Sequence, residues 1–339
     1  MLNVLIPPVH DRLTGGTLYN RQILARLTGT AITLYQDDRS ADRAAWPAGL
    51  WLVDSLCLHS GAAHLARQPE AAGILIAHHL NLLDPRHRDS GRAVREREAL
   101  GHYRAVISTS RYAESEFAAH GFGGEVAMIP PGLDPLYREP VLPRPPRTPT
   151  MVTVANLFPD KGYLDLLRHL EELRNPDWSW EIIGDTTLDA EFADRFRQEL
   201  DRSPLRGRIF VRGPQPPETV AATLDSGDIF VFPSRFETCG MAIMEAMARG
   251  LPVVAFRVGG LPSLLPDESR EFLAGAGDVA SFIASLRMFL TDPPKRQAIG
   301  DANCRASAAF PDWEVSAAAM DGLIRRVSVH ATTTLPATC

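Results

Sequence analysis

The sequence predicts an α/β protein of two Rossmann-like domains with parallel sheets facing a central cleft, and three observations predict it. Short β-branched or apolar runs alternate with helical patterns through both halves, as strands covered by helices require. The 339 residues exceed what one core comfortably serves. A segment with five prolines in twelve residues, 139–150, separates two such series and can continue neither a helix nor a central strand.

The first series of strands is expected at residues 4–6, 51–53, 74–77, 105–108 and 126–129, the second at 151–154, 180–183, 209–211, 229–232 and 253–256. Asn3-Val-Leu-Ile-Pro and Thr153-Val-Ala-Asn-Leu each open a series as strand, polar or glycine loop, then amphipathic helix, so the halves echo each other. The domains are placed at 1–148 and 149–311, followed by a helix over 312–328 and a tail over 329–339. Ligand is expected outside the carboxyl ends of the strands.

Composition narrows the class. With 45% apolar and 22% charged residues the chain reads as globular. The opening Met-Leu-Asn-Val-Leu-Ile-Pro-Pro has no basic region and reads as a strand rather than a signal peptide, and no window offers the roughly 20 apolar residues of a membrane span. A cytoplasmic protein is expected. Cys57, Cys239, Cys304 and Cys339 have no metal-type spacing, so neither a disulfide nor zinc is expected.

Charge is uneven: residues 1–148 hold 16 basic and 15 acidic side chains, leaving 19 and 26 of the totals of 35 and 41 for the remainder. Residues 86–104 carry Arg86, Arg88, Arg92, Arg95, Arg97 and Arg104 against Asp89, Glu96 and Glu98. That stretch suits peripheral contact with an anionic membrane or acceptor, against the plainer reading of a solvated helix face. Nothing in the charge balance points to nucleic acid.

The most informative segment lies at 230–255, read as strand, loop, helix, strand. Its helix should begin near Cys239 or Gly240 and stop at Gly250, before Pro252 opens the next strand. The helix is apolar almost all round, so Glu245 in its middle needs compensation: a nearby arginine, or hydroxyls of a bound ligand. Glu237 precedes the helix, whose first N–H groups at Gly240, Met241 and Ala242 suit phosphate oxygens. Phosphate between two carboxylates that accept sugar hydroxyls describes a nucleotide-diphosphate sugar. An exposed loop carboxylate is the competing account of Glu237.

The run Pro-Ser-x-x-Glu-x(7)-Glu-Ala-Met-Ala-x-Gly-x-Pro-Val-Val, starting at Pro233, resembles the hallmark of family 4 retaining glycosyltransferases of GT-B fold. The resemblance implies a hexosyltransferase that uses a nucleotide-sugar donor, UDP-linked in our reading, with retention and without a metal or other cofactor. It assigns the donor sugar to Glu237 and the ribose to Glu245. Gly15-Gly16 is similar to the family's N-terminal glycine loop, Ile129-Pro-Pro-Gly-Leu-Asp134 to its Pro-Gly-x-Asp turn, and the stretch from Asp312 to Arg326 to its terminal helix.

Gly15-Gly16 lies between the first strand and a helical stretch over 18–27, where Rossmann folds hold phosphate, although a plain turn fits the pair equally. His78 and His79 end a strand, and the family places a donor-contacting histidine there. Adjacent residues in extended chain point opposite ways, so one of them should face the cleft, and His79 is favoured.

Lys161 follows Asn156-Leu-Phe-Pro-Asp, ahead of a helix over 163–173. Only Lys161 and Lys295 are lysines among 35 basic residues, which suggests a compact point charge for phosphate, against a surface lysine. The family pairs this lysine with an arginine where Asn156 stands, so the diphosphate meets one cation fewer. Cys239 and Gly213 complete the expected donor-binding set.

The acceptor is open among lipid, glycan and small molecule, with the arginine-rich stretch favouring a membrane-linked one. A GT-B epimerase or a non-catalytic sugar-nucleotide binder are the rival functions. Asp37-Asp38, the nearest approach to a metal-binding pair, reads as a solvated loop.

Overall fold

The structure is a computed structural model and describes residues 1–8, 14–28, 30–37, 46–139, 147–173 and 177–333. The chain forms two compact units, Met1–Gly132 with Pro311–Cys339, and Leu133–Phe310. Each is built on one six-stranded sheet whose paired strands all run parallel.

The first unit holds β1 (Leu2–Ile6), β2 (Ile32–Gln36), β3 (Leu50–Asp54), β4 (Ala72–Ala77), β5 (Ala105–Ser108) and β6 (Glu125–Met128), in the order β2-β1-β3-β4-β5-β6. The second holds β7 (Thr150–Val154), β8 (Ser179–Ile183), β9 (Ile209–Gly213), β10 (Ile229–Phe232), β11 (Val253–Phe256) and β12 (Leu273–Ala274), in the order β12-β11-β10-β7-β8-β9. The strand order turns back between β1 and β3 in one sheet and between β7 and β10 in the other. Loops after those strands are where doubly wound sheets hold ligands.

Central strands are buried on both faces, as crossover helices demand: β1, β3, β4, β10 and β11 are buried at every residue. Two strands escaped the sequence reading. β2 lies at a sheet edge with half-exposed residues, Leu34 among them at 55% exposure, and β12 has only two residues. Neither carries the continuous apolar run that marks a buried strand.

The division between the units differs from the expected one at 148/149. It falls between Gly132 and Leu133, because Leu133 and Tyr137 pack into the core of the second unit with Met151, Phe230 and Met247. Of the proline-rich segment, residues 140–146 lie outside the described residues.

The last helix, Trp313–Thr333, belongs to the first unit. Trp313 is 2% exposed and meets the Tyr19 ring edge-on at 5.8 Å, and Ser316 Oγ donates to the Pro130 carbonyl at 2.8 Å. A Cβ on Gly132 would stand 2.3 Å from the Trp313 nitrogen, so glycine is what lets that turn meet the helix. The helix runs five residues past its expected end at 328, since Val329, His330, Ala331, Thr332 and Thr333 include no proline or glycine to stop it. Residues 334–339 lie outside the described residues.

Candidate functional site

In the second unit the loops after β7 and β10 flank the reversal of strand order, and they bring Lys161 and Glu237 together. Lys161 closes a short 3-10 turn, Pro159–Lys161, followed by Gly162 at φ 73°. A Cβ on Gly162 would stand 2.1 Å from the Pro233 carbonyl oxygen, so only glycine allows the two loops to touch here. The Arg235 N–H donates to the Asp160 carbonyl at 2.8 Å and pins the contact. Lys161 Nζ thereby lies 2.9 Å from Glu237 Oε2 and 5.2 Å from the Phe232 ring centroid. Both charged side chains keep about a fifth to a quarter of their surface in solvent, so the pair is open to a ligand.

The Glu237 backbone is held independently. Its carbonyl accepts from the Gly260 N–H at 3.0 Å, and a Cβ on Gly259 would lie 2.0 Å from that oxygen. The sequence reading passed over this Gly259-Gly260 pair, whose position after β11 was the available signal.

The helix Met241–Ala248 follows, entered through Gly240 at φ 89°. Its first internal bonds are donated by Ile243 and Met244 to the Gly240 carbonyl, which leaves the N–H groups of Met241 and Ala242 unused by the helix. Cys239 sits just ahead, its thiol pushed up by burial and by the charge of Glu237.

Glu245 receives a hydrogen bond from the Tyr137 hydroxyl, and Tyr137 is 5% exposed. Burial pushes the Glu245 carboxyl up to about 8; Tyr137 opposes that shift and the negative charge of Asp134 adds to it. Compensation for Glu245 therefore includes a tyrosine. Arg249, one turn on, bonds Asp225 and the Glu139 carbonyl. Tyr137 was missed because it stands at the end of a sequence-local turn, Pro135–Arg138, capped by Asp134 through the Leu136 N–H at 2.9 Å.

Asn156 Oδ1 accepts from the Asp185 N–H at 2.9 Å, so this side chain ties the loop after β7 to the loop after β8. Gly213 ends β9 at φ 68°, on the edge of the sheet and two strands from β7, away from Lys161.

In the first unit the helix Gly15–Leu24 begins at the glycine pair, three residues before the expected start, because Thr14 and Thr17 form a reciprocal cap. The His78 ring lies against Gly16, whose added Cβ would stand 3.0 Å from His78 Cδ2. His79 is exposed, and its backbone N–H, like that of His78, donates to Ser55 Oγ. Of the two histidines, His78 is the one set against the glycine turn. Its Nε2 lies 2.8 Å from Asn20 Oδ1, whose amide nitrogen donates to Asp54 Oδ2 at 2.6 Å.

The arginine-rich stretch forms the helix Gly91–Leu100 and its approach. Glu96 is turned inward, 7% exposed, and accepts from Asn81 Nδ2 and the Leu82 N–H. Arg92, Arg95 and Arg97 are exposed, and Arg86 pairs with Asp84 at 2.6 Å. Among the described residues no three His, Cys, Asp or Glu side chains gather as a metal site, and no helix is long and apolar enough to cross a membrane. Cys57, Cys239 and Cys304 are free thiols; Asp38 and Cys339 lie outside the described residues.

Known proteins share this fold. A D-inositol 3-phosphate glycosyltransferase of Corynebacterium diphtheriae is 33% identical over 184 residues, covering 53% of this chain and 43% of the relative. The chain thus spans less than half that relative's length. The solved sucrose-phosphate synthase of Thermosynechococcus elongatus superposes with a TM-score of 0.81 at 20% identity, over 97% of this chain and 100% of the other. Anabaena HepE, solved with UDP and glucose, gives 0.75 at 17% identity, over 96% and 99%. At those identities the likeness is one of fold. The fold is GT-B, and residues 139–305, the greater part of the second unit, match the family described as glycosyl transferases group 1.

Proposed function

We propose that the protein transfers a glycosyl group from a nucleotide-diphosphate sugar, UDP-linked, to an acceptor hydroxyl with retention of anomeric configuration. The observation that carries this is the placement of Lys161 and Glu237 at 2.9 Å from one another, beside the first turn of Met241–Ala248 and at the strand-order reversal. A cation and unpaired backbone N–H groups suit a diphosphate; carboxylates suit sugar and ribose hydroxyls.

In this reading Lys161 leaves Glu237 for the diphosphate when the donor arrives, and Glu237 turns to hydroxyls of the donor sugar. Glu245, aimed by Tyr137, accepts from the ribose. The backbone at Cys239, Gly240, Met241 and Ala242 meets phosphate oxygens, while Asn156 orders the loop that carries Lys161. In the first unit, Gly15, Gly16 and a histidine of the His78 and His79 pair suit contact with a sugar nucleotide. His78 takes that role because its ring, and not that of His79, lies on the glycine turn.

The leaving diphosphate gathers negative charge in the transition state, where a preorganised cation and helix N–H groups count most. The reaction needs no metal in this account, because the protein's own charge stabilises that group. The acceptor is a membrane-linked lipid or glycan, approached through the exposed Arg92, Arg95 and Arg97 at the inner face of the membrane.

UDP- and GDP-sugars incubated in EDTA with lipid and soluble acceptor pools, and followed by mass spectrometry, test the proposal. A product one hexose heavier with the α anomer kept supports it. Donor binding without any product would make the protein a binder, and isomerised donor without acceptor an epimerase.

A further inference from the structure

The first unit contains a buried polar chain leading to His78, and the reading above uses neither of its other members, Asp54 and Asn20. Asp54 ends β3 and is 3% exposed; its Oδ1 accepts from the Leu56 N–H at 2.8 Å, and its Oδ2 from Asn20 Nδ2 at 2.6 Å. Asn20 is 1% exposed and stands one turn after Gly16 on the same helix. Its Oδ1 is 2.8 Å from His78 Nε2, and Asp54 Oδ2 is 3.7 Å from the same nitrogen.

The direction of each hydrogen follows from valence alone. An ionised carboxylate can only accept, so the Asn20 amide must turn its NH₂ to Asp54 and its oxygen to His78. An amide oxygen also only accepts, so His78 Nε2 must carry a hydrogen. We propose that Asp54 and Asn20 are positioning residues that hold His78 as the Nε2–H tautomer, leaving an unprotonated Nδ1, on the ring edge opposite the Cδ2 that meets Gly16, to accept from a hydroxyl of the ligand.

The surroundings keep the chain from reversing. The Tyr19 ring, 1% exposed, meets His78 edge-on at 5.2 Å, and Gly16 closes on Cδ2, so the ring has little room to flip. Among the described residues Nδ1 has no hydrogen-bond partner of its own. Burial lowers the His78 pKa, with Asp54 pulling the other way, which keeps the ring neutral near pH 7. A neutral imidazole whose one N–H is committed to Asn20 has nothing to donate to a phosphate oxygen; it accepts from a hydroxyl. His78 therefore selects a ligand hydroxyl over a phosphate oxygen. The ligand hydroxyl rests on the nucleotide-sugar reading, whereas the tautomer stands without it.

Two-bond ¹H–¹⁵N spectra of the full chain labelled at histidine test both parts. The wild type should show a pyrrole-type Nε2 and a pyridine-type Nδ1 for His78, a measurement that needs no variant. In Asp54→Asn the new amide can donate to Asn20, whose own NH₂ then faces His78 and drives the proton to Nδ1. Asn20→Ala removes the relay and should leave a mixture of tautomers. Added UDP-glucose should move the wild-type Nδ1 resonance, and UDP alone should not. Asp54→Asn should cut the preference for UDP-glucose over UDP by about tenfold, one hydrogen bond's worth, with UDP affinity unchanged.

A wild-type Nδ1–H tautomer, or a folded Asp54→Asn variant that keeps Nε2–H, would overturn the proposal. A correct tautomer with Nδ1 unmoved by bound UDP-glucose would overturn the hydroxyl assignment. If UDP-glucose fails to bind the wild type at all, the donor reading falls while the tautomer is still decided by the spectra.

Discussion

Lys161 and Glu237, 76 residues apart in sequence, form an ion pair of 2.9 Å between the loops that follow β7 and β10. The cation proposed for the diphosphate is thus partly neutralised before a donor arrives, and the carboxylate proposed for the sugar is its neutraliser. Removing the charge of Glu237 should separate the two roles. Glu237→Gln should tighten UDP by up to about fivefold, the worth of a part-exposed pair, while transfer of the sugar is lost. Calorimetry with UDP and a product assay read the two effects; weaker UDP binding in a folded variant would count against the diphosphate assignment of Lys161.

Glu245 yields a prediction in pH. Its folded-state pKa is raised from 4.5 to about 8, so the folded protein holds a proton there that the unfolded chain has released. Stability from this group is full below pH 4.5 and declines as pH rises from there to about 8. The Glu245→Gln variant should lose that part of the decline, read as the difference between the two melting curves across this range. UDP, whose ribose hydroxyls favour the ionised carboxylate, should bind more tightly as pH rises towards 8. Tyr137→Phe withdraws a hydrogen bond to that carboxylate and should move the binding profile to higher pH. Identical profiles for the three proteins would retire the ribose role.

Gly162 tests the backbone that makes the ion pair. At φ 73°, with its missing Cβ aimed at the Pro233 carbonyl, Gly162→Ala combines strain with a clash. The variant should be destabilised by more than about 1 kcal/mol and lose donor affinity, because the two loops must separate. Denaturant unfolding together with UDP calorimetry is the check; an unfolding midpoint equal to that of the parent would show that the contact is dispensable.

These results show which parts of the molecule a sequence discloses. Central strands were legible because burial on both faces makes them continuous apolar runs, and Met241–Ala248 was legible because glycines bracket it. Lys161, Glu237 and Glu245 stood out as charges against an apolar or arginine-rich background. Tyr137, Asn20 and Asp54 did not, since each is an ordinary residue whose role comes from a partner 108, 58 or 34 positions away, as in Tyr137 to Glu245, Asn20 to His78 and Asn20 to Asp54. The choice between His78 and His79 was beyond alternation alone, because it depends on Gly16 standing against one ring.

The exposed arginines of Gly91–Leu100 carry a separate expectation. Glu96 is turned inward onto Asn81 and Leu82, so the exposed face of the helix carries fewer carboxylates than the composition of the stretch suggests. Binding to vesicles with acidic lipid should fall as salt rises and the Debye length shrinks, and Arg92→Glu with Arg95→Glu should abolish it. Binding that ignores salt, or survives both substitutions, would leave this helix a solvated face.

The most direct test of the whole account is the single-turnover rate of sugar transfer with Lys161→Ala. Charge on the leaving diphosphate grows in the transition state, so the rate should fall by roughly 10² to 10³ while donor affinity changes less. Asn156→Arg adds a cation at the loop after β7 but gives up the bond from the Asp185 N–H, so its rescue of Lys161→Ala should be partial. If Lys161→Ala turns over within a few-fold of the parent, Lys161 is a surface residue paired with Glu237 and the placing of the diphosphate is wrong.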